Sequence, residues 1–209
     1  MKKVILSVAA LFAFGFVSAQ DVKFGIKGGV NFATLTGDVE DTSMKVGFNV
    51  GGLVEIKVSE KFSVQPELLF STQGAKEEYS ETSGADSYKV ENNLNLGYLN
   101  IPIMAKYYVV DKFSLEAGPQ FGFLMSAKSD YTETQTVGGV TSTFSEEVDV
   151  KDDMNSVDFG INFGAGYDFT ENISAGVRYN LGLSDITDEQ EDNFEMKNSV
   201  IALSIGYKF

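Results

Sequence analysis

The chain has 209 residues, a length that suits a single domain, and its formal net charge is −14. This charge excludes nucleic acid as a partner, because phosphate binding needs a basic surface. The sequence contains no cysteine and no histidine. Disulfide bonds and thiol-ligated metal sites are therefore excluded, and a conventional activated nucleophile lacks its usual base.

The N-terminus predicts a cleavable signal peptide over residues 1–19. Lys2 and Lys3 precede an apolar stretch, Val4 to Val17, that is too short to cross a bilayer as a helix of about 20 residues. A small-residue cleavage site, Val17-Ser18-Ala19, follows it. The alternative interpretation is a buried N-terminal helix. We expect an exported mature domain comprising residues 20–209.

The rest of the chain predicts eight β-strands, because apolar residues alternate with polar or small ones and helical spacing fits none of the segments. The predicted strands are Val22–Ala33, Lys45–Val58, Phe62–Thr72, Leu94–Val109, Phe113–Ser126, Ser156–Phe169, Ile173–Ser184 and Ser199–Phe209. The last strand carries Ile201, Leu203, Ile205, Tyr207 and Phe209 on one face and Ser204, Gly206 and Lys208 on the other. An aromatic-tipped apolar face of this kind is typical of the closing strand of a transmembrane barrel.

Short and long connections alternate along these strands. The short ones are residues 59–61, 110–112 and 170–172, and the long ones are Thr34–Met44, Gln73–Asn93, Ala127–Asn155 and Asp185–Met196. This alternation predicts an all-β protein, an eight-stranded antiparallel up-and-down transmembrane β-barrel of the outer membrane, with periplasmic termini and extracellular loops. A soluble β-sandwich, the alternative, has no reason to alternate its connections in this way.

Two local features accompany this pattern. Pro66, Pro102 and Pro119 lie within predicted strands, where we expect local bulges because proline cannot donate to the ladder. The inward face carries charges of both signs: Lys27, Glu55, Lys57, Glu67, Lys106, Glu116, Asp158, Asp168, Arg178 and Lys208.

These inward charges predict an ion-paired plug, because the interior of an eight-stranded barrel is just wide enough for side chains to fill and buried charges must be paired. We expect the network to include Lys27, Glu55, Glu67, Lys106, Glu116 and Arg178. The alternative is the selectivity lining of a narrow pore.

One pair within this network follows from a turn. If residues 110–112 form a three-residue turn, Val109 lies opposite Phe113, and the same register places Lys106 opposite Glu116. Directly opposed residues have Cβ atoms about 4.5–5.5 Å apart, close enough for an ammonium–carboxylate contact.

The predicted long loops hold most of the 30 acidic residues. The densest runs, residues 146–153 and 185–192, lack the ligand spacing and the glycine of an EF-hand. We therefore expect solvated acidic loops that bind divalent cations loosely, rather than a specific metal site. No cofactor motif is present.

The missing histidine also argues against catalysis. Small outer-membrane barrel enzymes, such as lipid acyltransferases, phospholipases and omptin-like proteases, resemble one another in using a histidine base. Carboxylate-pair hydrolysis remains chemically open, but no residue pattern specifies a cleft. We expect that the protein is not an enzyme.

Several segments resemble the Bacteroidota-type outer-membrane β-barrel domain, called PorT-like or porin family. They are Phe24–Phe32, Gln65–Gly74, Tyr98–Tyr107 and Gly176–Ile186, and the resemblance extends over essentially the whole mature chain. The resemblance implies the barrel fold and a location in the cell envelope. The PorT branch of this family is linked to type IX secretion.

Three functions remain open. The first is a closed barrel with a structural or interaction role, the second a narrow porin-like channel, and the third an accessory of a type IX-like secretion system. In each case the partners are outer-membrane lipid and lipopolysaccharide, together with the barrel-insertion machinery, for which the terminal Phe209 resembles the assembly signal.

Overall fold

The structure, a computed structural model, describes residues 21–39, 42–188 and 194–209, so the predicted signal peptide lies outside the described residues. Within these ranges lie nine β-strands: β1 (Asp21–Gly37), β2 (Thr42–Ser59), β3 (Phe62–Ser83), β4 (Asp86–Val110), β5 (Phe113–Val137), β6 (Val140–Asp149), β7 (Val157–Asp168), β8 (Ile173–Gly182) and β9 (Met196–Lys208). A single 3-10 turn, Lys151–Asp153, follows β6. Within the described ranges, no α-helix has the length and apolar character needed to cross a membrane.

Eight of the strands form a closed ring in which every neighbouring pair is antiparallel. The order is β4-β3-β2-β1-β9-β8-β7-β5, and the pairing of β4 with β5 closes the ring. The first and last strands are neighbours, with Ile26 opposite Tyr207. The predicted eight-stranded antiparallel barrel is therefore confirmed, and β6 is an additional strand that pairs with β5 outside the ring.

The two faces of each barrel strand differ as the alternation predicts. On β9, Leu203 and Ile205 are 49% and 66% exposed on the outside, whereas Ser204 and Lys208 are buried in the lumen. The outer surface of the other strands likewise carries exposed apolar side chains such as Phe24, Val46 and Leu115. An apolar exterior around a polar interior is the arrangement of a barrel that sits in lipid.

The two ends of the barrel are different. One end, which we call the turn end, carries the start of β1, the end of β9 and the short connections after β2, β4 and β7. At the other, the hairpin end, β3, β4 and β5 continue well past the ring. Strands β4 and β5 have 25 residues each. At about 3.3 Å per residue and a tilt of about 40°, they reach roughly 60 Å along the axis, about twice the thickness of a bilayer core.

Two of the predicted long loops are in fact β-structure, which corrects the sequence prediction. Residues 73–93 continue β3 and β4 as a ladder that ends with Ser83 opposite Asp86. Most of residues 127–155 continue β5 to Val137 and return as β6. Together residues 76–93 and 128–149 form what we call the protruding sheet. Both of its faces meet water, so its strands lack the apolar alternation by which the barrel strands were recognised.

The prediction of bulges at the prolines is also wrong. The pairing register runs unchanged past Pro66, Pro102 and Pro119. The register shifts of the described strands lie elsewhere, for example between Gly97 and Tyr98. A proline leaves one ladder hydrogen bond unmade, and the intact pairs on both sides keep the strands aligned.

The outward position of Leu203 generates a stability prediction. Leu203→Arg should lower the free energy of unfolding by about 2–4 kcal/mol, because it places a cation in the middle of the apolar band, whereas Tyr207→Arg near the turn end should cost much less. Urea titration of refolded protein in lipid vesicles measures both. Equal losses for the two variants would contradict the assignment of this face to lipid.

Candidate functional site: the lumen and the protruding sheet

The hairpin between β4 and β5 shows how a local turn sets the first lumen contact. Val110, not Val109, lies opposite Phe113, so the turn is one residue shorter than expected and the predicted Val109–Phe113 pair is wrong. Lys112 has a positive φ of 70°, and a register shift between Tyr108 and Val110 absorbs the difference. Lys106 therefore lies opposite Glu116 after all, and its Nζ is 3.5 Å from Glu116 Oε1.

Glu67 is the centre of the charged network. Both of its carboxylate oxygens accept hydrogen bonds of 2.9 Å from the guanidinium of Arg178. Lys27 Nζ lies 3.3 Å from both oxygens, and Gln65 Nε2 donates at 2.6 Å. The Glu67 side chain is fully buried. A bidentate arginine pair with two further donors gives this carboxylate the partners that burial requires.

The network continues from Glu67 toward the turn end. Arg178 also donates to Glu116 at 2.9 Å, and Lys106 contacts Glu55 at 3.5 Å. Lys208 then lies 3.0 Å from both Glu55 and Asp168. The structure thus joins the six predicted residues and adds Asp168, Lys208 and the hydroxyl of Tyr108. The oxygen of this hydroxyl lies 3.1 Å from Glu55 Oε1 and 3.0 Å from Asp168 Oδ2, so the two carboxylates share its one proton as a donor.

The composition of this ionic layer is balanced. Each of the eight barrel strands contributes one charged member, and four cations meet four carboxylates: Lys27, Lys106, Arg178 and Lys208 with Glu55, Glu67, Glu116 and Asp168. Lys57, also predicted to face inward, lies outside this layer, where it is exposed in the vestibule at the turn end of the lumen. Asp158 is buried outside the ionic layer, where it accepts hydrogen bonds from Ser184 Oγ at 2.7 Å and Asn198 Nδ2 at 2.9 Å.

A layer of amides occupies the middle of the lumen. Asn49 donates to Asn31 at 2.6 Å, Asn180 to Asn162 at 3.1 Å, and Asn162 to Gln120 at 3.2 Å. Cavities of about 30 and 40 Å³ remain at the ionic and amide layers. Each has room for a few water molecules, which suits the buried amide oxygens of Asn49 and Asn100, for which the described part of the chain supplies no hydrogen-bond partner.

An apolar layer, which sequence reasoning missed, lies at the hairpin end of the lumen. Its buried members are Leu35, Ala75, Leu96, Tyr98, Leu124, Ala127, Met154 and Ile186. Met154 and Ile186 come from the connections after β6 and β8, and a bridge between Met154 and Thr187 joins these two segments. The sequence held a signal for this layer, because each of the two is an apolar residue between polar neighbours in an acidic connection.

The protruding sheet is polar on one face. Lys89 pairs with Glu78 and Glu91 at 3.2 and 3.1 Å, and hydrogen bonds to these carboxylates raise the pKa of Lys89. Hydroxyls of Thr136 and Thr141 are 2.9 Å apart on neighbouring strands.

Across the described ranges, three or more Asp, Glu, His or Cys side chains are nowhere grouped closely enough to hold a metal ion.

The central position of Glu67 leads to a second prediction. Glu67→Gln leaves a buried excess of one positive charge, so it should lower the free energy of unfolding by about 3–5 kcal/mol. The double variant Glu67→Gln with Arg178→Met restores the balance and should lose less than the single variant. Urea titration in vesicles compares the two. A double variant that loses the sum of the two single changes would show that the charges are not coupled.

Comparison with known proteins identifies a matching family and several similar solved structures. The family model described as "Outer membrane protein beta-barrel domain" matches residues 18–188. No curated protein matches the chain. Among solved structures, Ail, the attachment invasion locus protein of Yersinia pestis, is 12% identical with a TM-score of 0.46, over 90% of this chain and 99% of Ail.

Two further solved structures are similar at the same level. Neisserial surface protein A is 12% identical with a TM-score of 0.43, over 90% of this chain and 99% of its own. The outer membrane protease OmpT from Escherichia coli is 9% identical with a TM-score of 0.39, over 91% of this chain and 96% of its own. The family model matches most of the chain, and the protein belongs to the outer membrane protein β-barrel domain family.

Proposed function

We propose that the protein is a closed, non-enzymatic barrel with a structural or interaction role in the outer membrane. The observation that carries this proposal is the filling of the lumen by three successive layers, one ionic, one of amides and one apolar. A barrel whose interior is occupied by paired and packed side chains leaves its outer surface and its projecting strands as the parts that can meet other molecules.

The orientation we propose places the turn end in the periplasm and the protruding sheet outside the cell. Short periplasmic turns and longer extracellular extensions are the usual arrangement of outer-membrane barrels. Lipid and lipopolysaccharide then surround the apolar band. Divalent cations would be held loosely at the acidic hairpin end, by exposed carboxylates such as Glu146 and Asp152.

Conductance in planar bilayers tests the closed barrel. We expect the purified wild-type protein to give no single-channel steps in either polarity, because ions would have to displace the ion pairs around Glu67 and then cross the apolar layer. Folding of the protein in the same sample is checked by its heat-modifiable migration, and insertion by its co-flotation with the lipid vesicles that are fused to the bilayer. Reproducible open-channel steps would contradict the proposal.

Such steps would favour the narrow channel instead. One observation suits that alternative: a vestibule of about 270 Å³ opens at the turn end, lined by charges of both signs that include Lys23, Lys57 and Glu171. A different experiment tests the third function, a PorT-like accessory of a secretion system. In that case the protein should copurify stably with components of the secretion system from native membranes.

We also propose that Phe209 is the signal read by the barrel-insertion machinery. Its side chain is 71% exposed at the turn end, and its ring lies 5.4 Å from that of Tyr207. Deletion of Phe209 should therefore lower the amount of folded protein in the outer membrane, measured by heat-modifiable migration of membrane fractions, while Val22→Ala, a change of another exposed turn-end side chain, should not. Wild-type levels after the deletion would argue against this role.

A further inference from the structure

Strand β6 is an open edge of the protruding sheet. It pairs with β5 from Val140 opposite Val137 to Asp149 opposite Lys128. Among the described residues no strand pairs with its other side, and β6 is exposed along its whole length. An open edge presents a row of unpaired N–H and C=O groups, which is a template for another strand.

The register identifies which groups are free. The β5–β6 turn consists of Gly138 and Gly139, with φ values of 58° and 83°, the two-residue type I′ geometry. In such a hairpin Val137 and Val140 exchange hydrogen bonds, and every second pair along the ladder does the same. The backbone groups of residues 141, 143, 145, 147 and 149 therefore point away from β5, toward the open side.

The edge also lacks the usual protection near its tip. Residues 140–145 carry no charge and no proline, and the exposed side chains of Val140 and Phe144 share one face. Natural sheets guard open edges with lysine, proline or bulges. In β6 the charges are confined to the other half, at Glu146, Glu147 and Asp149. A complementary strand would therefore be apolar at one end and basic at the other.

A second copy of the chain fits this edge poorly. Two barrels in one membrane are related by rotation about the membrane normal, so their β6 strands would run parallel. In-register parallel pairing would then bring Glu146, Glu147 and Asp149 next to their own counterparts. Like charges side by side are destabilising.

We propose that β6 binds an extended peptide segment of a partner, which adds antiparallel to its open edge as a further strand. Apolar residues of this segment lie beside Val140 and Phe144, and basic residues lie beside Glu146 and Asp149. Main-chain hydrogen bonds to the free groups provide affinity, and the charge pattern provides direction. The inference rests on the proposed interaction role and on the placement of this sheet outside the cell.

A labelled peptide tests the proposal. The probe is a capped octapeptide with two lysines near its N-terminus and alternating valine and threonine after them, carrying fluorescein at its C-terminus. Its binding to refolded full-length protein in detergent is followed by fluorescence anisotropy. The same peptide with glutamate in place of lysine should bind more weakly, because it meets Glu146 and Asp149 with like charge.

Two matched variants locate the binding site. Thr143→Pro removes an N–H that points away from β5, so the hairpin keeps its own ladder while the new ring obstructs an added strand. It should weaken binding of the lysine peptide by at least about tenfold. Thr82→Pro makes the corresponding change at the open edge of β3 and should leave binding unchanged. Heat-modifiable migration checks that both variants are folded.

Charge reversal gives a second route if Thr143→Pro does not fold. Glu146→Lys together with Asp149→Lys should exchange the preference, so that the glutamate peptide binds more tightly than the lysine peptide, because Lys128 already pairs with the remaining Glu147. The proposal is overturned if the lysine peptide does not bind the wild type, if folded Thr143→Pro binds it equally well, or if the double charge reversal leaves the preference unchanged. Self-association of the wild type that Thr143→Pro abolishes would identify a second copy as the occupant and would also overturn it.

Failure of this inference is distinguishable from failure of the proposed function. A wild-type protein that conducts ions but binds the peptide at β6 contradicts the closed barrel alone. A wild-type protein that gives no conductance steps in bilayers and does not bind the peptide contradicts only the proposed binding site at β6.

Discussion

The structure depends on the pairing of charges inside a narrow lumen. Removing a carboxylate or a guanidinium from water is costly, and it is tolerated only where partners of opposite sign and further hydrogen bonds are in place. Glu67 and Arg178 meet this requirement across the barrel, although they are 111 residues apart in the chain. Because each barrel strand supplies one member of the ionic layer, the ion pairs described above form only when the ring is closed in the observed register. The network therefore favours that register.

The sequence predicts the features of the fold that arise from short distances along the chain. Alternation identifies the barrel strands, because one face meets lipid and the other meets the lumen. Counting outward from a turn places Lys106 opposite Glu116, even though the turn itself is shorter than assumed. The contact of Glu67 with Arg178 follows from no local pattern, since it depends on how far the strands are staggered around the whole ring.

The features that sequence reasoning missed have physical causes. The protruding sheet is wet on both faces, so its strands carry threonine, serine and glutamate instead of alternating apolar residues. The apolar layer draws Met154 and Ile186 from two different connections, and a single apolar residue in a polar segment does not reveal its partners. Both features depend on contacts between segments that are distant along the chain, and a single sequence does not show directly which segments contact each other.

The neighbouring position of β1 and β9 determines when the barrel can form. Gly25 lies opposite Lys208, so the seam that closes the ring joins residues separated by almost the whole described chain. Contacts of such long sequence separation form late, because the entropy of closing the intervening loop must be overcome first. Without β9, a sheet of the preceding strands would leave two edges unpaired. Such a sheet is prone to aggregation and cannot rest stably in lipid, so holding the emerging chain unfolded until its last strand arrives is a requirement of this topology.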